Sequence, residues 1–442
     1  MKILFPSLFY LPHVVGGIEY YIHNLAKGLL LKGYDVKIAL PEFEDGPVGN
    51  YEYEGVPVVR YKGFTSVGKL QMAGLEPNES LYHFKKLLLQ EQPDIVHFNQ
   101  LTNSSGISLE HIAAPKEWGM KVVYTNHMSE FLCQRGDLMY LGKRVCDGTV
   151  TVKKCTLCIM NKRGISQPAA YAALAADTLL AKITGQKNFL RQVKPVTFPG
   201  FSSRWQIYKI KSIIDSADVF VSIAEWSTKL LKQNGWYKKN CITIQTGLLT
   251  GNIEKNTGTL KYGGKRSLKI IYVGRIFLVK GLDVLIKALK AIDINTVELN
   301  IYGPAGAINE RVYYNYCRDL AKENTNILFH READNTQVVK LMSENDMLCI
   351  PSRGNEMSPL VIQEAMAAGI PVIGADLPAV KEWVSDGQNG LVFCTGDSDS
   401  LKKKLLLVIN NPSLLEIFKQ NIVLPLSFKN TIDSYEKLYK SF

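Results

Sequence analysis

Residues 268–281 read LKIIYVGRIFLVKG. Lys269 to Gly274 is a short apolar run that ends in glycine, the pattern of a buried strand. Arg275 to Lys280 is a loop. Leu282, Leu285, Ile286 and Leu289 then recur at helical spacing, and Val297 to Tyr302 forms the next strand. The chain opens with the same phrase. Lys2 to Pro6 is an apolar strand, and Gly16-Gly17 precedes a helical face of Ile18, Ile22, Leu25 and Leu29. Gly33 stops that helix before the strand Val36 to Leu40. Strand–glycine loop–helix–strand units imply right-handed crossovers and parallel strands.

More such runs extend both halves. Asp94 to Phe98, Lys121 to Thr125 and Ala217 to Ser222 belong to the first. Asn326 to His330, Met347 to Pro351 and Pro371 to Gly374 belong to the second. The expected fold is α/β, with two doubly wound Rossmann-like domains facing across a cleft. The expected division is an N-terminal domain over 1–255, carrying an insertion at 131–212, and a C-terminal domain over 256–425. A last helix at 426–442 would cross back to the first domain. Ligands of such sheets bind beyond the carboxyl ends of the strands, so the cleft is the expected site.

The 442 residues are 46% hydrophobic and 21% charged, ordinary for a globular chain and unlike a disordered tail or a coiled coil. No stretch reaches the roughly 18 apolar residues of a membrane span. Pro6 and Pro12 interrupt the first apolar run, so a signal peptide is not expected. The formal charge is +11, and residues 131–212 account for all of it, with 14 Lys/Arg against 3 Asp/Glu. A basic element on a neutral scaffold argues against a globally basic nucleic-acid binder.

A second stretch carries chemistry. Residues 356–371 read EMSPLVIQEAMAAGIP. Ser358 suits an N-cap and Pro359 a first helical position, with Gly369 as the stop. The amides of Leu360 and Val361 would face an anion at the positive end of the helix dipole. Glu364 lies over a turn further in, within reach of a ribose diol. Glu356 precedes the cap, where it could accept from sugar hydroxyls. Arg275 and Lys280 would stabilise a diphosphate leaving group. Tyr302-Gly303 is a strand followed by a glycine loop.

In this order, Gly-Arg-x4-Lys-Gly, strand-Gly-x-x-Gly and Glu-x7-Glu-Ala-x-Ala-x-Gly-x-Pro resemble the retaining GT-B glycosyltransferases of family 4, also called glycosyl transferases group 1. The segment from Val380 through Gly390 to Phe393 is similar to another motif of that family. The resemblance covers the chain apart from 133–212. It implies that Arg275, Lys280 and the Leu360 and Val361 amides bind the donor diphosphate beside Ser358. It further implies that Glu364 holds the ribose and Glu356 the donor sugar. Gly16 and Gly17 match the family's glycine loop, Gly303 its second-domain glycine loop, and His127 a position near the donor sugar. The implied enzyme is a retaining glycosyltransferase that uses a UDP- or GDP-linked nucleotide sugar and needs no divalent cation. Its acceptor would be a glycan or a lipid-linked glycan, in surface polysaccharide or glycolipid assembly. The sequence departs from the family pattern in the linker Ile244 to Leu249 and in Met357-Ser358.

Cys133, Cys146, Cys155 and Cys158 fall within 26 residues of the basic segment. Their spacing suits a structural metal, zinc first and an iron–sulfur cluster second, with free thiols or disulfides as the alternatives. Some family members carry a similar cluster after the same histidine. The basic residues from Lys153 to Lys211 interleave with Leu179, Phe189, Phe198 and Trp205, which suits peripheral contact with an anionic inner membrane face or a plain solvated face. The protein is expected to be cytoplasmic and not to bind nucleic acid. Two competing readings are a nucleotide-sugar epimerase or phosphorylase of the same fold, and a nucleic-acid-binding module built on the cysteines.

Overall fold

The computed structural model describes residues 1–14, 16–42, 49–63, 79–100, 107–184, 199–249, 266–304, 306, 308–334 and 337–442. Among them, two large sheets carry the fold. The first has eight strands, in the order Cys241–Thr243, Val219–Ser222, Lys121–Asn126, Ile95–Phe98, Lys2–Pro6, Asp35–Glu42, Val56–Lys62 and Tyr51–Tyr53. Only the last pair is antiparallel. The second has six parallel strands, Ile327–Phe329, Val297–Tyr302, Leu268–Val273, Met347–Ile350, Val372–Ala375 and Gly390–Phe393.

The strands are near-continuous apolar runs because helices cover both faces of each sheet. Ile3, Phe5, Val36 and Ile38 pack under helix Gly17–Leu31, whose Ile22, Leu25 and Leu29 are fully buried. Leu282, Leu285, Ile286 and Leu289 do the same beneath the second sheet. The strand pair Tyr51–Tyr53 and Val56–Lys62 was not read from the sequence. Its signal is the two-residue turn Glu54-Gly55, where φ is 47° and 82°, the positive values a tight hairpin demands.

The chain crosses between the sheets twice, and the crossings run side by side. In the linker, Leu248 N donates to Leu426 O at 2.8 Å, and Phe428 N donates back to Leu248 O at 3.0 Å. Gly247 is obligatory there, since a Cβ would lie 2.2 Å from Ser427 O. The last helix, Phe428–Tyr439, lies against the N-terminal sheet with Tyr435 and Tyr439 fully buried. Buried hydroxyls need partners. Tyr439 meets His97 Nδ1 at 2.6 Å, and Tyr435 meets Thr125 at 2.7 Å and Tyr21 at 3.0 Å. The expected domain boundary at 255/256 lies outside the described residues.

The basic insertion forms helices Val152–Lys162, Gln167–Thr184 and Pro199–Ser216. Several of its cations are engaged. Lys154 pairs with Asp147, Lys162 Nζ donates to Arg135 O at 3.0 Å, and Lys209 is buried, which lowers its pKa to about 8. Lys187, Arg191, Lys194, Phe189 and Phe198 fall outside the described residues. Among the described residues, no helix is long and apolar enough to cross a membrane.

Candidate active site

A cavity of about 850 Å³ lies between the two sheets. Gly16, Gly17, Tyr20, His23, Asn24, Lys27 and Glu54 line its N-terminal wall. Glu332, Asp334, Leu360 and Glu364 line the C-terminal wall, and Leu248 and Leu249 of the linker contribute as well. Helix Gly17–Leu31 starts at this wall because Gly16, in extended conformation, is its N-cap. A Cβ on Gly16 would lie 2.5 Å from Glu19 Oε2, whereas one on Gly17 would meet nothing within 4 Å. His23 and Lys27 follow nearly two and nearly three turns into the helix and meet the hairpin tip. Lys27 Nζ donates to Glu54 Oε2 at 2.7 Å, and His23 Nε2 lies 3.4 Å from the same oxygen. Sequence spacing did not mark this cluster, because the hairpin that delivers Glu54 is distant in sequence.

On the C-terminal wall, helix Leu360–Ala367 begins one residue later than the sequence suggests. Pro359 is the N-cap, at ψ 101°, and Ser358 stands before it without a capping hydrogen bond. Proline has no N–H to leave unpaired, so it serves at the cap as readily as at the first helical position. The Leu360 and Val361 amides remain at the open start of the helix, where the dipole is positive. Among the described residues, the Glu364 carboxyl has no hydrogen-bond or ionic partner, and burial raises its pKa from 4.5 to about 7.

Lys280 and Glu356 stand together. Lys280 Nζ lies 2.7 Å from Glu356 Oε2, and Ser352 Oγ donates to Oε1 at 3.2 Å. Lys280 reaches there because the chain turns sharply at Gly281, where φ is 69° and a Cβ would lie 2.0 Å from Pro351 O. Arg275 does not join them. Its guanidinium pairs with Glu310, which also accepts from Gly306 N at 2.9 Å, while the arginine side chain stays 62% exposed. Gly303 is not on the cavity wall. It packs on the other strand-end loop, where a Cβ would lie 1.9 Å from Gly274 O. His127 follows the strand Lys121–Asn126 and is held edge-on to Tyr21 at 4.4 Å, with Nε2 2.9 Å from Asn99 Oδ1. Burial lowers its pKa to about 3, so the imidazole is neutral.

The metal expectation at the cysteines finds no support in the structure. Among the described residues, no three His, Cys, Asp or Glu side chains are grouped to hold an ion. Cys133, Cys146, Cys155 and Cys158 are free thiols. Cys158 Sγ is used locally, accepting from Leu141 N at 3.2 Å and lying 3.6 Å from Met139 O. Burial raises the pKa of the Cys133 and Cys158 thiols and takes Cys155 to about 11.

Residues 262–423 match the family described as Glycosyl transferases group 1, and residues 15–167 match Glycosyltransferase Family 4. Solved structures share the whole architecture. A sucrose-phosphate synthase from Thermosynechococcus elongatus superposes with a TM-score of 0.66 at 15% identity, covering 100% of this chain and 98% of that one. Anabaena HepE in complex with UDP and glucose gives 0.60 at 17% identity, with both chains fully covered. The fold is therefore GT-B, and a segment of each half of the chain matches a glycosyltransferase family model.

Among curated proteins, an uncharacterized glycosyltransferase of Methanocaldococcus jannaschii is 28% identical over 48% of this chain and 56% of its own length. A phosphatidyl-myo-inositol mannosyltransferase of Mycobacterium leprae is 32% identical over 31% of this chain and 36% of its own. An uncharacterized protein of 41.2 kDa in the cps region of Klebsiella pneumoniae is 26% identical over 40% of this chain and 48% of its own. The match spans about half the length of the first and third of these relatives and about a third of the second.

Proposed function

We propose that the protein transfers a sugar, with retention of anomeric configuration, from a UDP- or GDP-linked donor to a glycan or lipid-linked acceptor. The observation that carries this reading is the cleft itself. One wall offers the open start of helix Leu360–Ala367 with Glu364 beside it, and the other offers Gly16 and Gly17 at the start of a facing helix. A helix start suits a diphosphate, and a carboxylate in reach of it suits a ribose diol.

In this reading, Glu364 takes the ribose hydroxyls as an acceptor. The Leu360 and Val361 amides hold the diphosphate beside Ser358. Lys280 adds positive charge where the leaving group gains negative charge, and Arg275 does so once it exchanges Glu310 for phosphate. Glu356, oriented by Lys280 and Ser352, accepts from the donor sugar hydroxyls. His127, with Nε2–H donated to Asn99, keeps Nδ1 as an acceptor toward the sugar. The acceptor hydroxyl attacks from the face the leaving group departs, and the departing phosphate takes its proton.

The acceptor enters along the wall of Tyr20, His23, Asn24, Lys27 and Glu54. The basic insertion is the surface we assign to docking an acceptor or an anionic membrane, with exposed Tyr171 and Leu179 beside Lys153. In this reading the enzyme works in the cytoplasm, peripheral to the inner membrane face, in surface polysaccharide or glycolipid assembly.

A thermal-shift panel of UDP, GDP and their sugars tests the donor reading. One nucleotide series should raise the melting temperature. No shift with any of them would overturn it.

A further inference from the structure

The loop that carries Glu356 is held from the opposite domain. The Trp226 indole N–H donates to the Met357 carbonyl at 2.8 Å. Asn355 N donates to Asp137 O at 2.8 Å. These two bonds bracket Glu356, one residue to each side, and both partners belong to the N-terminal half of the chain. The Met357 side chain is buried in the core of that domain. Gly354 allows the approach, since a Cβ there would lie 3.0 Å from Asp137 Cβ.

A carboxylate of the C-terminal domain fixes Trp226 in turn. Helix Glu225–Gln233 has no side-chain cap of its own. Glu382 supplies one across the cleft, its Oε1 accepting from Glu225 N at 3.0 Å and its Oε2 from Trp226 N at 2.9 Å. Gln245 Nε2 of the linker donates to the same Oε1 at 3.3 Å. A charged acceptor on the first amides of a helix gains from both the hydrogen bonds and the dipole.

We propose that Trp226 and Glu382 form an interdomain latch, and that they are positioning residues for the transferred sugar. The inference rests on the glycosyl-transfer reading and deepens it. Within its own domain the loop keeps only part of its support: Arg353 N to Val279 O at 2.7 Å, and Ala379 N to Asn355 Oδ1 at 2.8 Å. Domain opening therefore removes both backbone brackets around Glu356 and leaves its carboxylate held by Lys280 and Ser352 alone. The nucleotide contacts are not exposed to this change. Leu360, Val361 and Glu364 sit on one helix of the C-terminal domain. Sugar recognition thus depends on closure, whereas nucleotide recognition does not, and that coupling protects the activated sugar from water until the cleft is shut.

The test is a calorimetric titration of the full chain with UDP, UDP-glucose, GDP and GDP-mannose. Trp226→Phe keeps an aromatic side chain but loses the indole N–H and part of the buried ring volume, and Glu382→Gln acts from the other domain without that volume change. Each variant should weaken the bound nucleotide sugar by about tenfold, while the affinity for its parent nucleoside diphosphate stays within about twofold. Equal weakening of both ligands would mean a merely structural role and overturn the latch, as would no change in either. If one variant fails to fold, as judged by its melting curve, the other carries the same comparison. A wild-type chain that binds no nucleotide at all would instead sink the transfer reading, and the inference with it.

Discussion

In the C-terminal domain, residues singled out by their spacing meet in space. Lys280 reaches Glu356, and Leu360 and Glu364 share one wall of the cleft. In the cysteine-bearing segment of the N-terminal domain, Cys133, Cys146, Cys155 and Cys158 are just as suggestively spaced and do not gather around a common point. The difference is one of scaffolding. The donor-side residues sit at the carboxyl ends of adjacent parallel strands, Leu268–Val273 and Met347–Ile350, so the sheet itself brings their loops together. The cysteines lie around a short hairpin and on a helix, where Cys158 Sγ contacts the backbone at Leu141 and Met139. That segment instead braces the active site. Asp137 holds Asn355, and Met139 is buried in the core of the opposite domain.

The largest effects should come from the paired charges. Lys280→Ala and Glu356→Gln should each cut the transfer rate about 100- to 1,000-fold in a coupled assay. Because the two side chains form one ion pair, the double variant should lose much less than the product of the single losses. Additive losses would show that the residues act separately. Next, Glu364→Ala should weaken nucleoside diphosphate binding roughly tenfold or more by calorimetry. Unchanged affinity would remove Glu364 from the ribose contact.

Glu364 also carries a pH signature. Its folded pKa of about 7 lies above the ordinary 4.5, so the protonated form is the one that folding favours. Its contribution to stability is fully present below about pH 4.5 and is lost as pH rises through 7. Glu364→Gln should therefore be more stable than the parent at pH 8, by about 1–3 kcal/mol, with no difference near pH 4.5. A pH-independent difference in melting temperature would contradict a buried, unpartnered carboxyl.

The smallest effect belongs to the cysteines. EDTA should leave the melting temperature unchanged, and a chelator-induced drop would erase the contrast between the two regions. Iodoacetamide near pH 7.5 should modify exposed Cys394 well before Cys155, whose thiol pKa burial takes to about 11. Mass mapping of the alkylated peptides reads the order directly.

Much of the fold was legible because parallel strands buried on both faces are written as unbroken apolar runs. Lys269 to Gly274 and Lys121 to Thr125 read almost as they lie. The strand Cys241–Thr243 is too short and mixed to stand out, and the hairpin Tyr51 to Lys62 hides its period in aromatic and charged residues. The site was legible where a motif occupies one loop and one helix. Glu310, which engages Arg275, carries no local signal, because its partner lies 35 residues away. Trp226 and Glu382 were beyond reach for the same reason, being 156 residues apart.

The sequence by itself determined the two doubly wound sheets, the helix start to within one residue of Leu360, and the charged loop-and-helix residues Arg275, Lys280, Glu356 and Glu364, since each follows from periodicity, punctuation and charge within a few residues. Only the tertiary structure decided which charges pair and that one domain holds the other's Glu356 loop. Those outcomes depend on contacts between distant segments, and the free energy of a hydrogen bond such as Trp226 to Met357 exists only once both residues are buried in one core.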